Sequence, residues 1–125
     1  MSKKPNLKKK LWKIFSEYIR RRDDGKCYTC STKKDWKEMD AGHFIPAGGS
    51  NPELYFNEKN VHCQCTSCNR FKHGNLSVYA YNLTLQYGDK ILDELFELKH
   101  KLVKWTPADY EAKIEYYKQL LDEMQ

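Results

Sequence analysis

Residues 60–75 read NVHCQCTSCNRFKHGN, and the cysteines in this stretch decide how the rest of the chain is organised. Cys65 and Cys68 are two residues apart, a spacing that lets both sulfurs turn toward one ion. The same spacing occurs upstream, at Cys27 and Cys30 in CYTC. Two such pairs predict a tetrahedral structural zinc site, and the 34 residues between them exceed what a simple zinc ribbon needs. A further unit is therefore expected inside the insert. Metal binding would tie the pieces together, and its free energy would count as folding energy. Cys63 is left over. Pairing it with Cys68 would need a four-residue spacer, so it reads as a small buried residue. An odd count of five cysteines argues against a disulfide framework. Five reduced, buried cysteines would leave the doubled spacing unexplained.

Outward from this stretch the periodicity is clear. Leu7, Leu11, Ile14, Phe15, Tyr18 and Ile19 recur at helical spacing and predict an amphipathic helix over 6–23, ended by Asp23-Asp24-Gly25. Residues 39–45 (MDAGHFI) and 60–64 (NVHCQ) read as strands, with a Gly/Pro loop over 46–52. Residues 67–74 read as a short helix stopped at Gly74-Asn75. A helical pattern over 76–102 is divided at Gly88-Asp89. Thr106-Pro107-Ala108-Asp109 announces a last helix, with Thr106 as N-cap, Pro107 at the first helical position and Asp109 closing a capping box. The chain thus divides into a basic N-terminal helix (6–23), a zinc-framed core (27–74) and C-terminal helices (76–124), within one domain over 1–125.

Composition excludes several classes. Hydrophobic residues are 40% and charged residues 31%, which suits a folded domain rather than a disordered chain. No apolar run approaches the ~20 residues of a bilayer span, so no membrane partner is expected. The basic start, MSKKPNLKKK, lacks the apolar stretch of a secretory signal, which predicts a cytosolic protein. Net charge is +5 but uneven: residues 1–26 hold ten Lys or Arg against three acids, whereas 75–125 is net negative. The basic helix suits a polyanion, and it equally suits a solvated face.

Between the two cysteine pairs lie the residues that carry chemistry. Phosphodiester hydrolysis needs an activated water and a cation that neutralises developing charge. A histidine titrating near neutrality takes the water's proton, and a hard divalent cation takes oxygen and nitrogen ligands. His43, Asn60 and Asn69 resemble the HNH pattern of nucleases: a histidine on the first strand, a middle asparagine, and a histidine or asparagine on the following helix. Cys65-x-x-Cys68-Asn69-x-x-Lys72 resembles the zinc-bearing form of that pattern. The resemblance implies His43 as general base, Asn69 as a ligand of catalytic Mg²⁺ or Mn²⁺, and Asn60 as the residue that ties the loop and orients the histidine. Many HNH enzymes place an Asp or His directly before the base, where this chain has Gly42. Asp40 is the nearest carboxylate and is expected as a second ligand. If it is not one, the candidates are His62, which would share a strand face with Asn60, and His73, four residues beyond Asn69 on a continuing helix. For each of these histidines a hydrogen-bonded structural role is the competing reading.

A longer resemblance runs over roughly residues 11–121. FSEYIRRRD with CYTC, then AGHFI, LYFNEKNVHCQC and CNRFKHGN, then a Tyr-rich helix and Lys104-Trp105-Thr106, are similar to the NinG/Rap family of phage recombination endonucleases. That resemblance implies an α+β fold, mostly helical around a zinc-stapled ββα-metal (HNH-type) core. It also implies a structure-specific endonuclease acting on branched DNA such as D-loops or Holliday junctions, in the host cytoplasm. The expected phosphate contacts are Lys8, Lys9, Lys10, Lys13, Arg20, Arg21 and Arg22 on the first helix, and Arg70 and Lys72 beside the metal. Symmetric junction cutting would suit a homodimer joined by the C-terminal helices, although those helices equally suit packing on the core. The alternative reading is a non-catalytic zinc module that binds DNA or protein and needs neither His43 nor Asn69. A thiol redox protein would leave the second Cys-x-x-Cys pair unexplained.

Overall fold

The computed structural model of the protein describes residues 6–48 and 51–124. It is mixed α/β and mostly helical, with one small antiparallel sheet. The first helix, α1, spans Leu7–Arg22. Asn6 caps it by accepting the Lys9 amide at 3.0 Å, and it ends where Asp24 and Gly25 turn left-handed (φ 55° and 67°). Its stripe of Leu11, Phe15 and Ile19 is fully buried.

Strand β1 is Asp40–His43, and it pairs with β2, Val61–Gln64, so that Asp40 lies opposite Gln64 and His43 opposite Val61. Both strands match the expected pair in place, but β1 is shorter than 39–45. The reason lies in the side chain of Asn60. Its Oδ1 accepts from Ile45 N at 2.8 Å, and its Nδ2 donates to Ile45 O at 3.0 Å and to Leu54 O at 3.1 Å. A side-chain amide thus satisfies the Ile45 backbone that the ladder would otherwise serve, and the chain turns away from the sheet. Between the strands lies a helix of one turn, α2, Pro52–Tyr55, capped by Asn51. The Gly/Pro loop expected over 46–52 ends at this helix and includes residues 49 and 50, which lie outside the described residues.

After β2 the backbone makes one wide turn over Ser67–Phe71, with Lys72 N donating to Ser67 O at 2.9 Å. The helix expected to continue to residue 74 stops here. His73, Gly74 and Asn75 all have positive φ (52°, 91° and 50°), and three consecutive left-handed residues cannot prolong a right-handed helix. Next come α3, Leu76–Tyr87, closed by Gly88; α4, Ile91–Lys99; and α5, Pro107–Glu123. The capping box of α5 forms as the sequence predicts: Asp109 N donates to Thr106 Oγ1 at 3.2 Å, and Thr106 N donates to Asp109 Oδ2 at 2.8 Å.

The sheet separates two apolar clusters. On one side α1 packs on α5, joining Leu11, Phe15, Ile19, Val61, Ile114 and Tyr117. On the other, Phe44, Ile45 and Leu54 pack against Tyr79, Leu83, Ile91 and Leu95 of α3 and α4. A third cluster holds Met39 and the buried cysteines. The apolar stripe of α5 is therefore spent within the chain. No helix of the described residues is long and apolar enough to cross a membrane.

Candidate functional site

The two cysteine pairs converge. The sulfurs of Cys27, Cys30, Cys65 and Cys68 all lie within 4.8 Å of one another, and Cys30 Sγ is 3.6 Å from Cys65 Sγ. A zinc–sulfur bond of about 2.3 Å puts tetrahedral sulfurs about 3.8 Å apart, so the donor set fits a metal such as zinc. Protein groups also surround the sulfurs. Cys68 N points at Cys65 Sγ (3.4 Å), and Asn75 Nδ2 at Cys68 Sγ (3.8 Å). Cys63 stands outside the group of four, fully buried, as its spacing predicts. Burial, with the Asp23 carboxylate beside it, pushes its thiol up to about 12.

His43 closes β1 on the face turned to α1. Its ring is stacked on Trp12 (centroids 5.2 Å apart, planes at 18°), with Tyr55 tilted against it at 4.7 Å. Nε2 lies 2.9 Å from Tyr55 O. A carbonyl only accepts, so Nε2 carries the proton, and in the neutral ring Nδ1 keeps its lone pair. Burial pushes the imidazole below the ordinary 6.5; the Tyr55 carbonyl opposes that shift and Lys8 adds to it. Asn60 fixes this carbonyl indirectly, since its bond to Leu54 O anchors α2, where Tyr55 is the last residue. Trp12 and Tyr55 carry no signal in the sequence because each reads as one more aromatic on an apolar stripe.

Strand alternation places Asp40 and Gly42 on the opposite face of β1 from His43. There Asn69 Nδ2 donates to Asp40 Oδ2 at 3.1 Å, and Arg70 forks onto both Asp40 oxygens at 3.2 and 3.3 Å. Gly42 has a steric reason. A Cβ there would stand 1.9 Å from Gln64 Oε1 and 2.8 Å from Asn69 Oδ1. No side chain fits directly before His43, and the carboxylate on this face is that of Asp40, two residues before Gly42. The Asp40 carboxylate and the Asn69 amide each carry an oxygen of the hard type that divalent cations take, and here they are bonded to each other.

Neither further histidine joins this group. His62 is buried, with Nδ1 3.2 Å from Tyr79 Oη and Nε2 3.0 Å from Tyr87 Oη, and Tyr28 stacked at 3.9 Å. Tyr79 in turn donates to Gly42 O at 2.7 Å. The chain of donors is then self-consistent: Tyr87 O–H to Nε2, Nδ1–H to Tyr79, Tyr79 O–H to the strand. Both nitrogens are engaged, which corrects the expectation of His62 as a ligand. His73 is corrected too, because the continuing helix that would align it with Asn69 is absent and the residue is exposed beyond the turn.

Burial and the Arg22 charge lower the His62 pKa to about 3. The unfolded chain therefore takes a proton near pH 6.5 that the folded chain refuses until about pH 3. Stability is full above 6.5 and falls as pH drops, by up to ~1.4 kcal/mol per pH unit from this group. Urea titrations of wild type and His62→Gln between pH 7 and 5 measure it. The variant should show the shallower slope, and equal slopes would mean His62 protonates alike in both states.

The first helix splits its cations. Arg22 turns inward, bonding Asp23 (2.8 Å), Glu58 O (3.0 Å) and Val61 O (3.1 Å). This corrects the expectation that it contacts DNA. Arg20 bonds Ser16 O and Trp36 O and lies over the Trp36 ring, and Arg21 pairs with Glu17 at 3.1 Å. Lys9, Lys10 and Lys13 are exposed, and Lys8 Nζ stands 4.5 Å over Tyr55, beside His43. Arg70 is two-thirds exposed (67%) and Lys72 is exposed. The basic end of α1 is thus connected to the His43 environment through Tyr55. A cleft of about 1050 Å³ lies elsewhere, lined by Phe56, Trp105 and Tyr117 among others, and touches none of these groups.

The model of the family described as Bacteriophage Lambda NinG protein matches residues 1–125. The chain belongs to the NinG family. It is 37% identical over 116 residues to Protein ninG of Escherichia phage lambda, covering 91% of this chain and 55% of that protein. Protein ninG of Salmonella phage P22 matches at 37% (91% and 56%), and that of Escherichia phage 933W at 35% (91% and 56%). This NinG-family chain spans about half the length of the curated relatives it matches. No solved structure matches it significantly.

Proposed function

We propose that this chain is a metal-dependent DNA endonuclease of the HNH (ββα-metal) type, with zinc on the four cysteines as a structural staple. The observation that carries the reading is His43. It is a half-buried histidine whose Nε2 proton is committed to Tyr55 O, leaving Nδ1 neutral and basic at pH 7. That is the state a general base needs. Three residues back along the same strand, the opposite face offers Asp40, with Asn69 of the turn after β2 beside it. A phosphodiester laid across β1 would meet His43 on one side and these oxygens on the other. A divalent cation held by Asp40 and Asn69 would supply charge neutralisation at the phosphate. Lys72 is exposed on the turn beside that position, and Arg70, paired with Asp40 in the free chain, would turn to phosphate oxygens once a cation takes the carboxylate, while Asn60 keeps the loop that orients His43. The substrate class, branched recombination intermediates, follows the NinG/Rap resemblance, and weak sequence preference follows from the absence of a base-reading helix among the described residues.

Cleavage of labelled linear duplex, single-stranded, D-loop and four-way-junction DNA, with Mg²⁺ or Mn²⁺ and with EDTA, tests the proposal. Cutting that needs the cation and favours branched substrates is the expected outcome. Binding without cutting under every metal would instead establish a non-catalytic zinc module.

The lysines of α1 give a separate expectation. Replacing Lys8, Lys9, Lys10 and Lys13 by alanine should reduce the slope of log affinity against log salt by about 0.9 for each phosphate that is no longer neutralised. Fluorescence anisotropy with labelled duplex in EDTA reads it, and an unchanged slope would remove α1 from the interface.

A further inference from the structure

Gln64 is fully buried, yet its side-chain amide is only half used. Nε2 donates to Gly74 O at 2.8 Å and to Thr29 Oγ1 at 3.1 Å. Oε1 is the one buried side-chain polar atom among the described residues that finds no hydrogen-bond partner. A buried acceptor left without a donor is unfavourable, and it calls for an explanation. What Oε1 faces supplies one. It lies 1.9 Å from the point where a Cβ of Gly42 would stand, and Asn69 Oδ1 lies 2.8 Å from the same point. Both carbonyl oxygens stand within 3 Å of that one point, while the donor end of Asn69 is turned away to Asp40 Oδ2.

Half a turn of the Asn69 amide exchanges its two ends. Nδ2 then stands beside the point that Gln64 Oε1 crowds, as the donor nearest to that point. Oδ1 takes the place that the nitrogen now holds, 3.1 Å from Asp40 Oδ2. Two oxygens so placed repel each other unless a cation lies between them; Arg70, whose guanidinium now forks onto Asp40 and is two-thirds exposed, would yield to it. Around a small octahedral cation, metal–oxygen bonds of about 2.1 Å put neighbouring ligand oxygens about 3 Å apart. The observed spacing is therefore that of a ligand pair once the amide has turned.

We propose that Gln64 is a positioning residue: its buried Oε1 accepts the Asn69 amide and so holds Asn69 Oδ1 toward a divalent cation shared with Asp40. This rests on the reading of Asp40 and Asn69 as ligands and adds the residue that orients one of them. It also accounts for Gly42, because any side chain there would push Gln64 and Asn69 apart.

Mn²⁺ is the probe, titrated into the zinc-loaded chain and followed by the loss of the free-ion electron paramagnetic resonance signal. Gln64→Leu should weaken Mn²⁺ binding about tenfold, the low end for an outer-shell partner. In an Asn69→Asp background the ligand is a carboxylate that needs no orienting, so adding Gln64→Leu should change affinity less than about twofold. Equal losses in both backgrounds would mean Gln64 acts only through structure, and no loss in either would also overturn the proposal. If Asp40→Asn leaves Mn²⁺ affinity unchanged, the ligand reading itself fails, a separate result. A second measurement needs no variant: Mg²⁺ added to ¹³C,¹⁵N-labelled wild type should shift the Gln64 Cδ resonance together with the Asn69 side-chain amide. An Asn69 shift with Gln64 Cδ unmoved contradicts the proposal.

Discussion

His43→Ala should lower the proposed DNA cleavage rate by about 10²- to 10⁴-fold, the range for loss of a general base, while DNA affinity in EDTA should stay near wild type. The expectation follows from the committed proton on Nε2 and the free lone pair on Nδ1. The ring also packs on both Trp12 and Tyr55, so its removal costs about 1–3 kcal/mol of stability. Rates are therefore compared well below the melting transition. His43→Gln is the companion variant, since its amide can still donate to Tyr55 O but cannot take a proton. The wild-type rate should rise with pH through a midpoint below 6.5, because burial favours the neutral ring. Cleavage by both variants at the wild-type rate would remove His43 from the chemistry.

Cys65→Ala should abolish stoichiometric zinc and unfold much of the chain. Structural zinc contributes apparent binding free energies of about 10–16 kcal/mol in small domains, where binding and folding are one equilibrium. Here the four sulfurs come from two places, the segment after α1 and the β2–turn junction. Losing one ligand removes the metal link between the segment after α1 and the end of the sheet that carries His43 and Asp40. Cys63→Ala is the internal control. Its thiol lies outside the cluster, so zinc content should remain one per chain, with a cost of about 1 kcal/mol for the small cavity. Metal analysis beside thermal melts reads both variants. Cys65→Ala with bound zinc and a wild-type transition would refute the staple.

The parts of this molecule legible in its sequence are those that depend on local rules. The stripe of α1, the Gly88 division between α3 and α4, and the Thr106–Asp109 box each involve neighbours within one or two turns, and the structure has all of them. The cysteine set is legible because ligand spacing is itself a local rule. What escapes depends on contacts across the fold. Charge alone says nothing of direction, so Arg22 reads as a phosphate contact although it serves carbonyls at the start of β2. The short β1 depends on a side chain fifteen residues away, Asn60, replacing the ladder at Ile45. His73 reads as helical because nothing in the sequence marks it and Asn75 as left-handed residues flanking Gly74. At the candidate site, Asp40 and Asn69 do meet, whereas Gln64 and Trp12 carry no motif. Their significance comes only from what lies beside them.

The most direct test of His43 and its metal-dependent chemistry is a time course with the zinc-loaded chain, a labelled four-way junction, and Mg²⁺ or EDTA, with His43→Gln in parallel. Discrete cuts are expected with wild type in Mg²⁺, none in EDTA, and a rate at least about a hundredfold lower for the variant. An intact junction that wild type binds but leaves uncut in Mg²⁺ and Mn²⁺ would contradict the nuclease reading.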